Sequence, residues 1–323
     1  MSRPLKTDSW IVDGSKGFES LIVQRDVPIP ELGDYDCLIQ IQAVSLNYRD
    51  LIIPKGLYPF PLSLPRVPCS DGAGIILATG PRVTQWRRGD RICTLFNQTH
   101  QANPITPESM NSGLGGVIDG TLRKYAVFPE YGLVRAPANL SPIEASTLSC
   151  APLTAWNALY GLLPLKAGDV VLTQGNRGGE FGGGAVCGCG GGDGDCDDVI
   201  DGEDGEVDED GRAAEVGGPG TMAQSLKAVR KEGVITIIGF LGGAGGKGGK
   251  KEPSILDPLV EVCTVRGILV GSRQQMKDMV RAIEVNKIRP VVDEKVFGFG
   301  FEEAYQYQWD QKHFGKVVIK VED

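Results

Sequence analysis

No run in this 323-residue sequence approaches the ~18 consecutive apolar residues of a membrane-spanning helix, so none is expected. The first residues, MSRPLKTDSWIV, lack the apolar core of a secretory leader. Basic charge is in deficit, with 33 Lys and Arg against 41 Asp and Glu, which leaves no surplus for nucleic acid. The eight cysteines lie scattered at 37, 69, 93, 150, 187, 189, 196 and 263. In a chain of this size that spacing points to reduced thiols and a cytoplasmic setting rather than a disulfide framework. Hydrophobic residues at 41% and charged residues at 23% exclude wholesale disorder, and the length suggests roughly two domains.

What is present is uneven. Eleven acidic residues and no basic one fall between Asp193 and Asp210, so the formal charge of −8 describes one segment and the remainder is near neutral. Residues 182–211 also hold eleven of the 45 glycines.

The first third reads as β-structure. "DCLIQIQAVSL" (36–46) alternates apolar and polar positions, and Arg88-Gly89-Asp90 sets a hairpin turn before "RICTLF". Residues 97–116 are polar and rich in Gly and Pro, as in a loop. In "SPIEASTLSCAPLTAWNALYGL" Ser141, Pro142 and Glu144 give a helix start, with a break expected at Pro152. Apolar strands then alternate with helices: "AGDVVLTQG", "TMAQSLKAVRKEG", "VITIIGFLGG", "TVRGILVGS" and "RQQMKDMVRAIEVNKI". Such alternation predicts an α/β domain with a parallel sheet, starting near residue 137. "GKVVIKVED" returns to strand, and the end of the chain is expected to rejoin the first domain.

The segments "CSDGAGIILATG", "VTQWRRGDRI", "SCAPLTAWNAL", "VLTQG", "EVGGPGTMAQSLKAVRKEGVITIIGF", "ILVGSR" and "KHFGKVVIKV" resemble the medium-chain dehydrogenase/reductase superfamily, in particular its zinc-free quinone or enone reductases and its alcohol dehydrogenase-like members. The resemblance covers residues 9–175 and 215–323. It implies a GroES-like β-barrel catalytic domain over 1–136 and a doubly wound parallel Rossmann sheet over 137–289. Residues 290–323 would return to the barrel. It also implies hydride transfer with a nicotinamide cofactor to a small carbonyl or quinone, and a homodimer formed through "TVRGILVG". Where relatives carry Cys, His and Cys as catalytic zinc ligands, this sequence has Asn47, Ser70 and Cys150. One thiol cannot make a catalytic site that needs about three protein ligands. Residues 94–120 hold no cysteine for a structural zinc. The expectation is no metal, with Cys150 a small buried residue.

A Rossmann turn presents glycine-backbone amides to a pyrophosphate. Here "DVVLTQG" runs instead into "NRGGEFGGGAVCGCGGGDGDCDDVIDGEDGEVDEDGRAA", where neither an apolar helix nor a second strand is legible. A flexible acidic linker is one reading. An EF-hand fails because Asp198 stands where glycine is required. A further reading rests on composition: 26 of the 30 residues at 182–211 are Gly, Ala, Val, Asp or Glu, the five whose codons begin with G. Read one base on, Asn176–Glu180 is compatible with "TGGVS", a glycine fingerprint of this superfamily. In the same frame the codons after Glu180 are compatible with an apolar helix and a strand ending in Thr and Ser. Residues 176–212 are therefore expected to be frame-shifted or mis-spliced. A strand end without Asp or Glu favours NADP(H) over NAD(H).

The resemblance points to few chemical residues. Tyr58, in "GLYP", is the candidate proton donor, or else an ordinary loop tyrosine. Asn47 and Tyr48 replace the metal region, and an amide can polarise a carbonyl there. Arg49 and Asp50 are expected to pair locally. Thr154, Gly175, Gly217, Gly218, Gly239, Phe240, Val270 and Gly271 are candidate cofactor contacts at strand ends, or plain turn residues. Lys316 either reaches the cofactor or is solvated. The alternative to an enzyme is a non-catalytic binding or structural protein with a defunct cofactor site.

Overall fold

The computed structural model describes residues 3–166, 169–173, 211–215, 221–239, 254–300 and 303–321. In chain order the strands are β1 Lys6–Val12, β2 Leu21–Pro28, β3 Asp36–Ser45, β4 Asp71–Thr79, β5 Arg91–Thr94, β6 Tyr125–Pro129, β7 Leu133–Arg135, β8 Val170–Thr173, β9 Gly211–Glu215, β10 Val234–Ile237, β11 Thr264–Gly267, β12 Phe297–Gly298 and β13 Val318–Lys320. The helices are α1 Tyr48–Ile52, α2 Pro107–Met110, α3 Pro142–Ala145, α4 Ala151–Tyr160, α5 Met222–Ala228, α6 Asp257–Glu261, α7 Arg273–Asn286 and α8 Glu303–Trp309. They divide into one unit of residues 1–153 with 271–323 and another of residues 154–270.

In the first unit, the strand predicted at 36–46 is the spine. One edge of β3 pairs antiparallel with β4, and the other pairs with β6 at 36–40 and with β13 at 43–45. Its side chains Leu38, Ile39, Ile41 and Val44 have no solvent exposure. The full sheet order is β12-β13-β3-β4-β5-β7, and β1 with β2 forms a separate hairpin. The turn expected at 88–90 is present. Gly89 takes a φ of +92°, a conformation that costs glycine little, and its N–H donates to the Ile76 carbonyl at 2.8 Å. The loop expected at 97–116 contains one short helix, α2, whose N-cap Thr106 accepts from the Ser109 N–H at 3.2 Å.

Helix α3 starts as predicted, with the Ser141 N–H donating to Glu144 Oε2 at 2.8 Å. The break falls earlier than expected. Residues 146–150 interrupt the helix, and Pro152 sits in the first turn of α4, where its missing N–H breaks no helical bond. Helix α7 begins at the cap residue Ser272 and buries Met276, Met279, Val280 and Ile283, the spacing of one helical face. Arg273 at its start donates Nε–H to the Leu133 carbonyl of β7 at 2.9 Å. Packing of α3 against β3 and β4, and of α7 against β7, carries the first unit on to residue 153 and resumes it at 271. Those borders differ from the 136 and 290 expected.

In the second unit the sheet order is β11-β10-β9-β8, with every pairing parallel. Leu226, Val229 and Ile235 form its small buried core. Strand β9 corrects the expectation that no second strand follows "DVVLTQG" before residue 215. It lies between β8 and β10, held by ladder bonds that its sequence GRAAE does not advertise. Residues 174–210, with the expected fingerprint, lie outside the described residues.

Candidate active site

Strand pairing in the first unit gathers three distant positions. Ser45 of β3 lies opposite Asp71 of β4 and opposite Val318 of β13. The residues flanking those pairs therefore converge. Asn47 follows β3, Ser70 precedes β4, and Lys316 precedes β13.

Their side chains form a closed polar ring, all of it buried. The Lys316 ammonium donates to Asn47 Oδ1 and, at 2.8 Å, to the Leu46 carbonyl. Asn47 Nδ2 donates to Ser70 Oγ at 3.5 Å. Ser70 Oγ in turn donates to Asp71 Oδ1 at 2.7 Å. Asp71 Oδ2 accepts from the Cys150 N–H at 3.3 Å and lies 3.9 Å from Lys316 Nζ, which closes the ring. Burial pushes the Asp71 carboxyl up from 3.8 to about 6, against the pull of Lys316 and Ser70. A charge this deep persists only because its partners are in place.

The backbone leading into the ring is strained. Cys69 holds a φ of +69°, uncommon for a residue with a side chain. The 115–122 loop clamps it: the Thr121 N–H donates to the Cys69 carbonyl at 3.0 Å. The approach is so close that a Cβ on Gly120 would stand 1.9 Å from the same oxygen. Beside the ring, Arg49 and Asp50 pair at 3.6 Å as expected. The Arg49 guanidinium also lies over the Phe96 ring at 4.4 Å and donates to the Leu114 carbonyl at 2.6 Å. Burial pushes the Asp50 carboxyl up despite Arg49.

Of the expected catalytic residues, Asn47 is in the ring. Tyr48 opens α1 and packs partly buried on the core. Tyr58 is partly buried, meets Phe60 edge-on at 5.4 Å and feels the charges of Arg49 and Asp50. Burial pushes its phenol pKa up, so it is protonated at neutral pH. Lys316 is 7% exposed, which removes the solvated reading. The groups around its ammonium are Asn47, the Leu46 carbonyl and Asp71. Cys150 is half-buried rather than buried. Sequence reading missed Ser70 and Asp71 as members of one network, although the adjacent pair Ser-Asp before Gly72 was a usable signal.

In the second unit, Thr154 is buried on α4, Gly239 follows β10 and Val270 follows β11. Val270 has a φ of +47°, an outlier for a β-branched residue. Its carbonyl accepts from Asn157 Nδ2 at 2.7 Å, and Arg266 Nη2 donates to Asn157 Oδ1 at 3.1 Å and to its backbone oxygen at 2.9 Å. Neither Asn157 nor Arg266 stands out in the sequence. Gly271, in the first unit, packs so that a Cβ would meet Leu153 at 2.9 Å. Gly175, Gly217, Gly218 and Phe240 lie outside the described residues. Among the described residues no three His, Cys, Asp or Glu side chains are grouped to hold a metal, and no helix is long and apolar enough to cross a membrane.

Residues 33–138 match the family model of the alcohol dehydrogenase GroES-like domain, and residues 195–319 match that of zinc-binding dehydrogenase. A zinc-type alcohol dehydrogenase-like protein of Schizosaccharomyces pombe is 38% identical over 350 positions, covering 96% of this chain and 98% of that one. The alignment is longer than the 323-residue chain, so that relative carries residues without a counterpart here. A quinone oxidoreductase of Lama guanicoe is 29% identical over 163 residues, half of this chain and 43% of the relative. Among solved structures, a putative alcohol dehydrogenase from Sinorhizobium meliloti 1021 matches with a TM-score of 0.78 and 29% identity, covering 99% of this chain and all of that one.

Proposed function

The chain belongs to the medium-chain dehydrogenase/reductase superfamily and is an oxidoreductase, and from that premise we propose that it reduces a quinone or an α,β-unsaturated carbonyl without zinc. The observation that carries the reading is the buried Lys316 ammonium. It occupies the oxygen of Asn47, at the first of the three positions where the resemblance puts zinc ligands. A metal ion there would meet a fixed positive charge, one amide, one hydroxyl and a single thiol, which is not a zinc donor set. The residues do not fit the metal, although one of the matching family models is named for zinc.

A nicotinamide cofactor would supply the hydride. Open parallel sheets bind ligands at the carboxyl ends of their strands, where Gly239 and Val270 stand, and Thr154 would join them. Hydride arriving at the acceptor carbon moves charge onto the acceptor oxygen. Asn47 Nδ2–H and the Tyr58 phenol are the donors suited to hold that oxygen, and Tyr58 carries a proton to give. A preference for NADP(H) rests on the displaced-frame reading of residues 176–212, which the nucleotide sequence of those codons decides. Partnering with a second copy fits the outer edge of β11, unpaired among the described residues, and the exposed Ile255, Leu256, Leu259 and Val260 nearby in sequence. Sedimentation of the purified chain tests it, a monomer at micromolar concentration refuting the dimer.

The decisive experiment is metal analysis of purified protein with assay of NADPH oxidation by quinones and enones. Turnover without stoichiometric zinc supports the reading. Stoichiometric zinc whose removal abolishes turnover refutes it. Fluorescence titration with NADPH separates the enzyme from a non-catalytic protein: saturable binding by the chain argues for the enzyme.

A further inference from the structure

The buried ring Lys316–Asn47–Ser70–Asp71 has a direction. An ammonium can only donate hydrogen bonds, and an ionised carboxylate can only accept them. Lys316 and Asp71 are the two ends. Between them every donor points the same way: from lysine to the amide oxygen, from the amide nitrogen to the Ser70 hydroxyl, and from that hydroxyl to the carboxylate. Turning the Asn47 amide over would place NH₂ against an ammonium and an oxygen against a hydroxyl already committed to Asp71. Both contacts would be lost at once, in a site with no water-like surroundings to replace them.

We propose that Lys316 is a positioning residue for the reaction: it locks the Asn47 amide so that its N–H pole, and never its oxygen, meets the acceptor oxygen of the substrate. The inference rests on Asn47 as the carbonyl-polarising group. The Asn47 amide nitrogen has two N–H groups, and the one given to Ser70 spans 3.5 Å, the outer limit of a hydrogen bond. Within the ring that pole faces the Ser70 hydroxyl and the Asp71 carboxylate, both acceptors, so it is the donor end of the amide. Lys316 has three ammonium protons, and the Leu46 carbonyl, Asn47 and Asp71 all lie around them. It is therefore not free to touch substrate or cofactor itself. The lysine supplies a fixed positive charge behind the amide, which polarises the donor facing the developing oxyanion. This sets the substrate class: an acceptor must offer a bare carbonyl or quinone oxygen. Groups that present only N–H or O–H to Asn47 are refused.

Lys316→Met and Lys316→Arg are compared with the parent chain, using protein labelled with nitrogen-15 at asparagine. The Asn47 side-chain resonances are those missing from Asn47→Asp. In Lys316→Met they should shift and broaden, kcat should fall by about a hundredfold, and NADPH affinity should stay unchanged. Lys316→Arg, which still donates, should restore the resonances and part of the rate. If Lys316→Met does not fold, Lys316→Met combined with Asp71→Asn removes opposite charges together and is read in its place. Asn47 resonances unmoved in a folded variant lacking Lys316 would overturn the proposal. So would weakened NADPH binding with kcat intact, which would put Lys316 on the cofactor. If the parent chain oxidises no NADPH with any carbonyl acceptor, the functional reading fails, and the Asn47 resonances alone decide this one.

Discussion

Two buried asparagines, one in each unit, are held in the same manner and left in different states. Asn47 receives Lys316 on its oxygen, and Asn157 receives Arg266. In both, a cation that can only donate fixes which way the amide faces. The nitrogen of Asn157 then donates to the Val270 carbonyl at 2.7 Å, where it steadies a left-handed β-branched residue. The nitrogen of Asn47 meets the Ser70 hydroxyl at 3.5 Å and the Asp71 carboxylate beside it. The same device clasps backbone at one strand end and, on the function proposed above, holds a donor for the acceptor oxygen at another. What distinguishes them is what the amide nitrogen meets: a backbone carbonyl at Asn157, a hydroxyl and a carboxylate at Asn47.

The largest effect that tests this contrast comes from one substitution made at both places. Asn47→Asp keeps an oxygen for Lys316 and loses the N–H pole. It should lower kcat by about 10²–10³, or ~3 kcal/mol of barrier, on top of the ~1–3 kcal/mol of stability that a second oxygen facing Ser70 and Asp71 costs. Asn157→Asp keeps Arg266 but sets a carboxylate against the Val270 carbonyl, and should cost ~1–3 kcal/mol of stability. If both variants lose stability alike and Asn47→Asp keeps its rate, the contrast collapses. Steady-state kinetics and thermal melts check both.

Next comes the backbone that aims the ring. Gly120→Ala puts a methyl against the Cys69 carbonyl, and the overpacking should cost ~1–3 kcal/mol while disturbing Ser70 and Asp71. Chemical denaturation reads it, and an unchanged midpoint would show that the clamp yields.

The ring also carries a pH signature that Asn157 lacks. Folding raises the Asp71 pKa to about 6, so the folded state holds that proton more tightly than the unfolded chain. Its contribution to stability is complete below about pH 4 and is lost as pH rises through about 6. Relative to Asp71→Asn, the parent chain should therefore melt higher at about pH 5 than at about pH 7. A parallel pH dependence in the two proteins would remove the buried charge from the account. Smallest of all, Arg289→Ala breaks an exposed pair with Glu144 at 2.8 Å and should change stability by only ~0–1 kcal/mol, a baseline for the buried pairs.

Much of the framework was legible one segment at a time. The alternation of residues 36–46 marked β3, the Ser141 and Glu144 pair marked the start of α3, and the spacing of Met276, Met279, Val280 and Ile283 marked the inner face of α7. Asn47 and Tyr58 were named as candidates only because a resemblance pointed to them. Strand β9 was not legible, because GRAAE has no apolar rhythm and is held by its neighbours' ladders.

By itself the sequence determined the family and many of the strands and helices, since each is written in residue types and local spacing. The ring was decided only in three dimensions. Lys316 and Asn47 are 269 positions apart and meet because β13 pairs with the end of β3. Whether a lysine is solvated or buried depends on partners delivered by other strands. Local periodicity records which face of an element turns inward; it does not record which distant charge waits there.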